Sequence, residues 1–210
     1  MGLNTKTISF IGTGYEDIVI YLLIVLGELS VRTLVCDRSE KHVIYTYLPH
    51  IKGIDPEEEI LDAGFAHYTY EKRTGEYDIV INLNDFEGET DTGSTVIVVT
   101  DEHKRHFEAL ENSTIKSGDV LIIRNYTGAV KGLYDEMIEN IGFKEIFALT
   151  ISERDLKTEY LMGWGKKKGL SGISEQMEEV IKKLLTISAC ESTEKELKKA
   201  YKKAKRGRKQ

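Results

Sequence analysis

KTISFIGTGYEDIVIYLLIVLGELSVRTLVCDR, residues 6–38, decides the fold. An apolar run at 7–11 meets the turn Gly12-Thr13-Gly14-Tyr15-Glu16-Asp17, after which 18–29 reads as a helix apolar on nearly all sides and 32–36 as a second strand. A helix with so little polar surface has to be covered by a sheet and by neighbouring elements at once. Strand, tight turn, buried helix, strand is how a parallel α/β sheet begins.

Working outward, short apolar runs recur at 65–70, 77–83, 95–100, 119–124 and 144–150, as in strands buried on both faces of a parallel sheet. Between them Asp101 reads as the cap of a helix running to residue 112, and another helix is expected near 130–141. Residues 42–61 read as helical or irregular, punctuated by Pro49 and Pro56, with Pro56-Glu57-Glu58-Glu59 resembling a helix start. Met177, Val180, Ile181, Leu184 and Leu185 mark an amphipathic helix over 174–187. The alternation predicts one α/β domain over residues 1–190, in three layers, with a mostly parallel sheet between helices.

With 210 residues and 40% hydrophobic content the chain can bury one sizeable core. Its net charge of −6 conceals an asymmetry, because residues 195–210 hold nine Lys or Arg against one Glu and leave the remainder at −14. An acidic body repels nucleic acid, so only the tail at 191–210 could attract it. Leu197, Ala200, Tyr201 and Ala204 form a weakly apolar stripe there; the basic residues from Lys195 to Lys209 would meet an anionic membrane or a nucleic-acid backbone, the alternative being a solvated, frayed terminus. Cys36 and Cys190 lack metal spacing, no disulfide is expected, and the run 18–26 is about half of what spans a membrane. These features point to a cytoplasmic protein, peripheral at the inner face of the membrane if the tail engages it.

A glycine turn at the end of a strand offers backbone N–H groups and a helix dipole to a phosphate. The motif GxxxxGK[ST] adds a lysine and a hydroxyl, and neither occurs between Gly12 and Tyr21. Instead Glu16 and Asp17 fall where phosphate would sit. At ~4 Å and an effective dielectric near 20, each like-charge contact costs about 4 kcal/mol. A dinucleotide reading uses Gly12, Gly14 and Asp37 at the end of the next strand, but the third glycine is Asp17. A purely structural reading lets the glycines turn the chain while the two acids cap the helix.

Other constellations carry less. Asp101, Glu102, His103 and His106 read as a solvated helix face, not a metal site. Asp78, Asp85, Glu87, Glu89 and Asp91 lack the glycine and spacing of a calcium loop. No GxSxG occurs, and nucleophilic catalysis has no support. Trp164, between glycines and followed by three lysines, reads either as an exposed interaction anchor or as a core residue.

Three further features agree in order. The second strand ends in Asp37; Tyr77-Asp78-Ile79-Val80-Ile81-Asn82 carries an amide where an acid would close the motif; and Ile122-Ile123-Arg124-Asn125 ends a later strand in Asn125. With the turn, and with the segment 147–152 followed by Gly163 and the 174–187 helix, this order resembles the MinD/ParA group of deviant P-loop ATPases, which includes pilus-assembly and septum-positioning members. The likeness runs over residues 6–187. It implies a P-loop NTPase-like, Rossmann-like fold with Gly12, Thr13, Gly14, Asp37, Asn82 and Asn125 at the ligand site, the last near a base. It also implies a pseudo-ATPase, since the lysine, the hydroxyl and the magnesium-side acid that phosphoryl transfer needs are missing. The expected role is a scaffold or localisation factor in a bacterial assembly, with a protein partner or a second copy bound. No catalytic residue, metal, cofactor or defined small-molecule substrate is expected, ATP/ADP or NAD(P) being the ligands such a fold would otherwise take.

Overall fold

The structure is a computed structural model, and it describes residues 5–48, 60–70, 76–88, 91–115, 117–129, 131–140, 142–150, 152–165, 169–188 and 192–207. Eight strands form one sheet: β1 (Lys6–Gly12), β2 (Thr33–Asp37), β3 (Leu61–Asp62), β4 (His67–Thr69), β5 (Ile79–Asn84), β6 (Thr95–Asp101), β7 (Ser117–Arg124) and β8 (Gly142–Ala148). Their order is β3-β4-β2-β5-β1-β6-β7-β8, and every neighbouring pair is parallel except β3 with β4. The α/β reading from sequence therefore holds, with strand limits shifted by a few residues. The Pro49 and Pro56 expectations and Cys190 lie outside the described residues.

The chain runs outward from β1 through β2 to the edge strand β3, steps back through β4 to place β5 beside β1, then crosses β1 to β6 and continues to β8. The reversal falls at β1, so the carboxyl end of that strand opens on the crevice where such sheets take ligands. Helix α1 (Glu16–Glu28) begins there. Its residues Ile18 to Leu23, Val25 and Leu26 are all buried. The all-round apolar character follows from its position between the sheet and two further helices, α5 (Glu175–Ser188) and α6 (Glu194–Arg206). Each such side chain taken from water contributes roughly 1.5–3 kcal/mol. The other face of the sheet holds a smaller core in which Leu110 of α2 (Lys104–Asn112) meets Ile11, Val98, Leu121 and Ile123.

All five residues expected to face inward on α5 are buried. Helix α3 (Lys131–Asn140) also matches expectation. Three readings need correcting. Asp101 does not cap α2; it lies two residues before the cap His103, accepts from the His103 backbone N–H at 2.9 Å and holds the His106 Nδ1 at 2.7 Å. Residues 61–62 pair as a short antiparallel strand within a segment expected to be helical or irregular. Helix α4 (Glu153–Gly163), capped by the Ser152 hydroxyl, was not expected at all.

The basic tail is ordered over α6. Thr193 and Glu196 close a reciprocal capping box, and Ala200, Tyr201 and Ala204 are buried in the main core beside α1. Lys203 pairs with Glu28 at 3.9 Å and Lys205 with Glu178 at 2.6 Å, while Leu170 N–H donates to Ala204 C=O. Three members of its apolar stripe are thus covered by the body, and Leu197 is partly covered. Thr193→Ala should cost about 1 kcal/mol, the usual value of a lost N-cap. Urea unfolding of the full chain reads this directly, and no change would mean that α6 is detached.

Candidate functional site

The carboxyl end of β1 is shaped by two glycines for different reasons. Gly12 has φ +114°, and a Cβ on it would lie 2.1 Å from the Val99 carbonyl oxygen and 2.9 Å from the Phe86 ring. The next N–H, of Thr13, donates to the same carbonyl at 3.0 Å, so the turn is pinned onto β6. Gly14 has φ +74°, and its missing side chain leaves room for the Arg124 stem.

Arg124 is the last residue of β7 and reaches past β6 to the start of α1. Its Nη1 donates to the Gly14 carbonyl and to Asp17 Oδ1, both at 2.5 Å, and Nη2 donates to Asp17 Oδ2 at 3.1 Å. Asp17 is 2% exposed and also accepts from the Ile18 N–H at 2.8 Å. The Ile18 N–H in the first turn of the helix is therefore filled by the protein's own acid, and a guanidinium sits on the Gly14 carbonyl of the turn. The two acids do not both stand as unbalanced charge, as the sequence suggested, because Asp17 has a forked partner.

Burial opposes the charge on both members of this pair. It lifts the Asp17 carboxyl above its ordinary range against the pull of Arg124, and Arg124 is itself held above its ordinary range because Asp17, Glu159 and Glu16 outweigh its burial. Glu159 of α4 approaches from the other side, accepting from Tyr47 Oη at 3.2 Å, and burial followed by the Asp17 charge raises its carboxyl. Burial also raises Glu16, with Asp17 adding to it. Tyr21, one turn beyond Asp17, is fully buried with its hydroxyl unpartnered.

Of the other expected site residues, Asp37 comes near this turn, where its charge acts on the Tyr15 hydroxyl. Asp37 is buried, its Oδ1 accepting from the Ser39 N–H at 3.1 Å and the Ser39 hydroxyl at 2.5 Å, and its Oδ2 from Tyr68 Oη at 2.7 Å. Asn82 lies beside Ser9 and Cys36 and donates to Asp91 Oδ2 at 2.7 Å. Neighbouring strand residues in register share a face. Asp37 is alongside Leu83, one residue on from Asn82, so the two lie on opposite faces of the sheet. Asn125 is exposed at φ +53° in the turn leaving β7. Gly12, Thr13 and Gly14 stand together at the crevice with Asp37 close to Tyr15, while Asn82 lies on the opposite face of the sheet from Asp37 and Asn125 in the turn leaving β7.

The acids of the 78–91 region diverge as well. Asp78 forks onto Arg32 and is held below its usual range by that hydrogen bond, Asp85 accepts from the Glu40 N–H, and Asp91 meets Asn82. Among the described residues no group of three or more His, Cys, Asp or Glu is disposed to hold a metal ion. No described helix is long and apolar enough to cross a membrane. Sequence reasoning missed Arg124, Glu159 and Tyr47. Arg124 did carry a signal, a charged residue closing the buried run Val120 to Ile123 at the ligand end of a strand.

No protein-family model and no curated protein sequence matches the chain. Among solved structures, the MinD cell division protein of Aquifex aeolicus superposes with a TM-score of 0.52 at 10% identity, over 88% of this chain and 99% of that one. At that identity the likeness speaks for architecture alone: this chain has a single α/β domain resembling the MinD P-loop fold.

Proposed function

We propose that this protein is a MinD/ParA-like chain whose nucleotide position is closed from within, so that it acts by binding a partner, as a scaffold or localisation factor, and not by hydrolysis. The clamp of Arg124 on Asp17 and on the Gly14 carbonyl carries this reading. A phosphate seated on the turn would have to displace Asp17 from its only forked partner and leave a buried carboxylate beside new negative charge. Asp37, committed to Ser39 and Tyr68, has both oxygens engaged where a ribose hydroxyl would need one.

A thermal-shift panel of ATP, ADP, NAD(H) and NADP(H), each with and without magnesium, tests the reading. A ligand at a hundred times its dissociation constant adds about 2.7 kcal/mol, worth several degrees in a chain of this size. The expected result is no shift and no phosphate release above background. A saturable rise with any nucleotide, lost in Gly14→Val, would overturn it.

A further inference from the structure

Helix α4 lies against the clamp on a largely polar underside. Of its buried residues Asp155, Thr158 and Met162 only the last is apolar; Leu161 is half-buried, and Leu156 and Tyr160 point away from the body. Ser152, Asp155 and Leu156 come so close to Arg124 that the gap they share with it measures about 20 Å³, room for about one water molecule. One turn further along, Glu159 accepts from Tyr47 Oη at 3.2 Å, and Gly163 lies beside the same ring. A helix seated with so little apolar contact belongs to the part of a structure that opens at low cost.

Charge decides how firmly it sits. Glu159 is within reach of the charges of Asp17 and Arg124, and Glu16 is within reach of Glu159. Asp155, one turn before Glu159, accepts from the Ser174 N–H at 2.6 Å. The Tyr21 hydroxyl stands near Asp17, Glu159 and Asp155 without a partner, and Tyr47 gives Glu159 a hydrogen bond but no charge. Arg124 is the one cation among these groups, and it is bonded to Asp17 and the Gly14 carbonyl. When Glu159 is ionised, Glu16, Asp17 and Glu159 stand against that single positive charge with little water to screen them. When Glu159 is protonated, it still accepts from Tyr47, and its opposition to the two acids of α1 is gone.

We propose that α4 is a pH-released cover: with Glu159 protonated it lies against Tyr47 and Arg124, and ionisation of Glu159 against Asp17 and Glu16 lifts it from the clamp. The inference rests on the reading that the β1 turn is closed from within, and it names what regulates the closure. Burial and the Asp17 charge make the carboxyl hold its proton to a higher pH while docked than when released into water. Docking is therefore complete below the ordinary glutamate value and is lost as pH rises through the raised one. Glu16, raised by burial and by Asp17, adds to the same direction.

Native-state hydrogen exchange of the full chain, read by mass spectrometry from about pH 5 to about pH 8 and corrected for the intrinsic pH dependence of exchange, tests the cover. Amides of α4 should open more as pH rises, by up to about tenfold per pH unit between the released and docked values of one carboxyl, while those of α5 and β7 stay level. Glu159→Gln has the same shape and never ionises, so its α4 should stay protected at the alkaline end. Tyr47→Phe should loosen α4 at every pH and keep the slope. Circular dichroism checks that both variants fold. Protection of α4 that is flat or rises with pH, a slope that survives in Glu159→Gln, a slope that vanishes in Tyr47→Phe, or α4 and α5 opening in step would each overturn the inference. A flat exchange profile leaves the nucleotide panel standing, and a nucleotide-induced rise in melting temperature leaves the exchange profile standing, so the two ideas fail separately.

Discussion

Arg124→Met is expected to destabilise the chain by about 3–5 kcal/mol, the loss that follows when one partner of a buried ion pair is removed and the other stays behind. Asp17, 2% exposed, would keep only the Ile18 N–H. In a chain of this size the melting temperature should fall by roughly 10 °C. The deficit should also depend on pH in a definite direction. Without the guanidinium, burial raises the folded-state pKa of Asp17 further above its unfolded value. The folded state then binds more protons than the unfolded one between those two values, so stability falls as pH rises through that interval and is recovered as pH is lowered. Glu16 and Glu159, raised by burial in the intact protein, carry the same sign. The double variant Asp17→Asn/Arg124→Met removes both charges and should regain most of the loss. Urea unfolding of the single and double variants between pH 5 and 8 checks this, and a single-variant loss below about 1 kcal/mol would mean that the pair is solvated.

The second large effect belongs to Gly12→Ala. One methyl group would meet the Val99 carbonyl at 2.1 Å and the Phe86 ring at 2.9 Å, on a backbone at φ +114° that L residues rarely adopt. Overpacking costs about 1–3 kcal/mol and the backbone conformation about 1–3 more, for a total of roughly 2–6 kcal/mol. Gly14→Ala makes the contrast. Its Cβ would sit 3.4 Å from the Arg124 stem at φ +74°, for a loss of about 1 kcal/mol. Chemical denaturation of the two variants side by side should therefore rank Gly12 well above Gly14. Equal losses would show that φ alone, and not contact with β6, accounts for the turn.

That ranking also marks how far the sequence could be read. The glycine turn, the buried helix after it and the apolar strands were legible because they depend on local pattern: period, length and punctuation. Helix α4 was not legible, for a specific reason. Its inward side carries Asp155, Thr158 and Met162, while Leu156 and Tyr160 point out, so its hydrophobic pattern is close to inverted. The two-residue strand β3 exists only through pairing with β4. Asp17 and Arg124 stand 107 positions apart and meet because β7 and β1 flank the same neighbour, information that resides in strand order and not in any window of sequence. Asn82 and Asp37 looked like partners in order along the chain, and the pleat sends them to opposite faces.

The docking of α6 on α1 has a consequence for biosynthesis. Helix α1 is greasy on every side, yet the element that seals its outer surface is made after all the other described elements. Until α6 is made the nascent polypeptide must shield this helix by other means, and a product truncated ahead of α6 will expose it to aggregation in the cell.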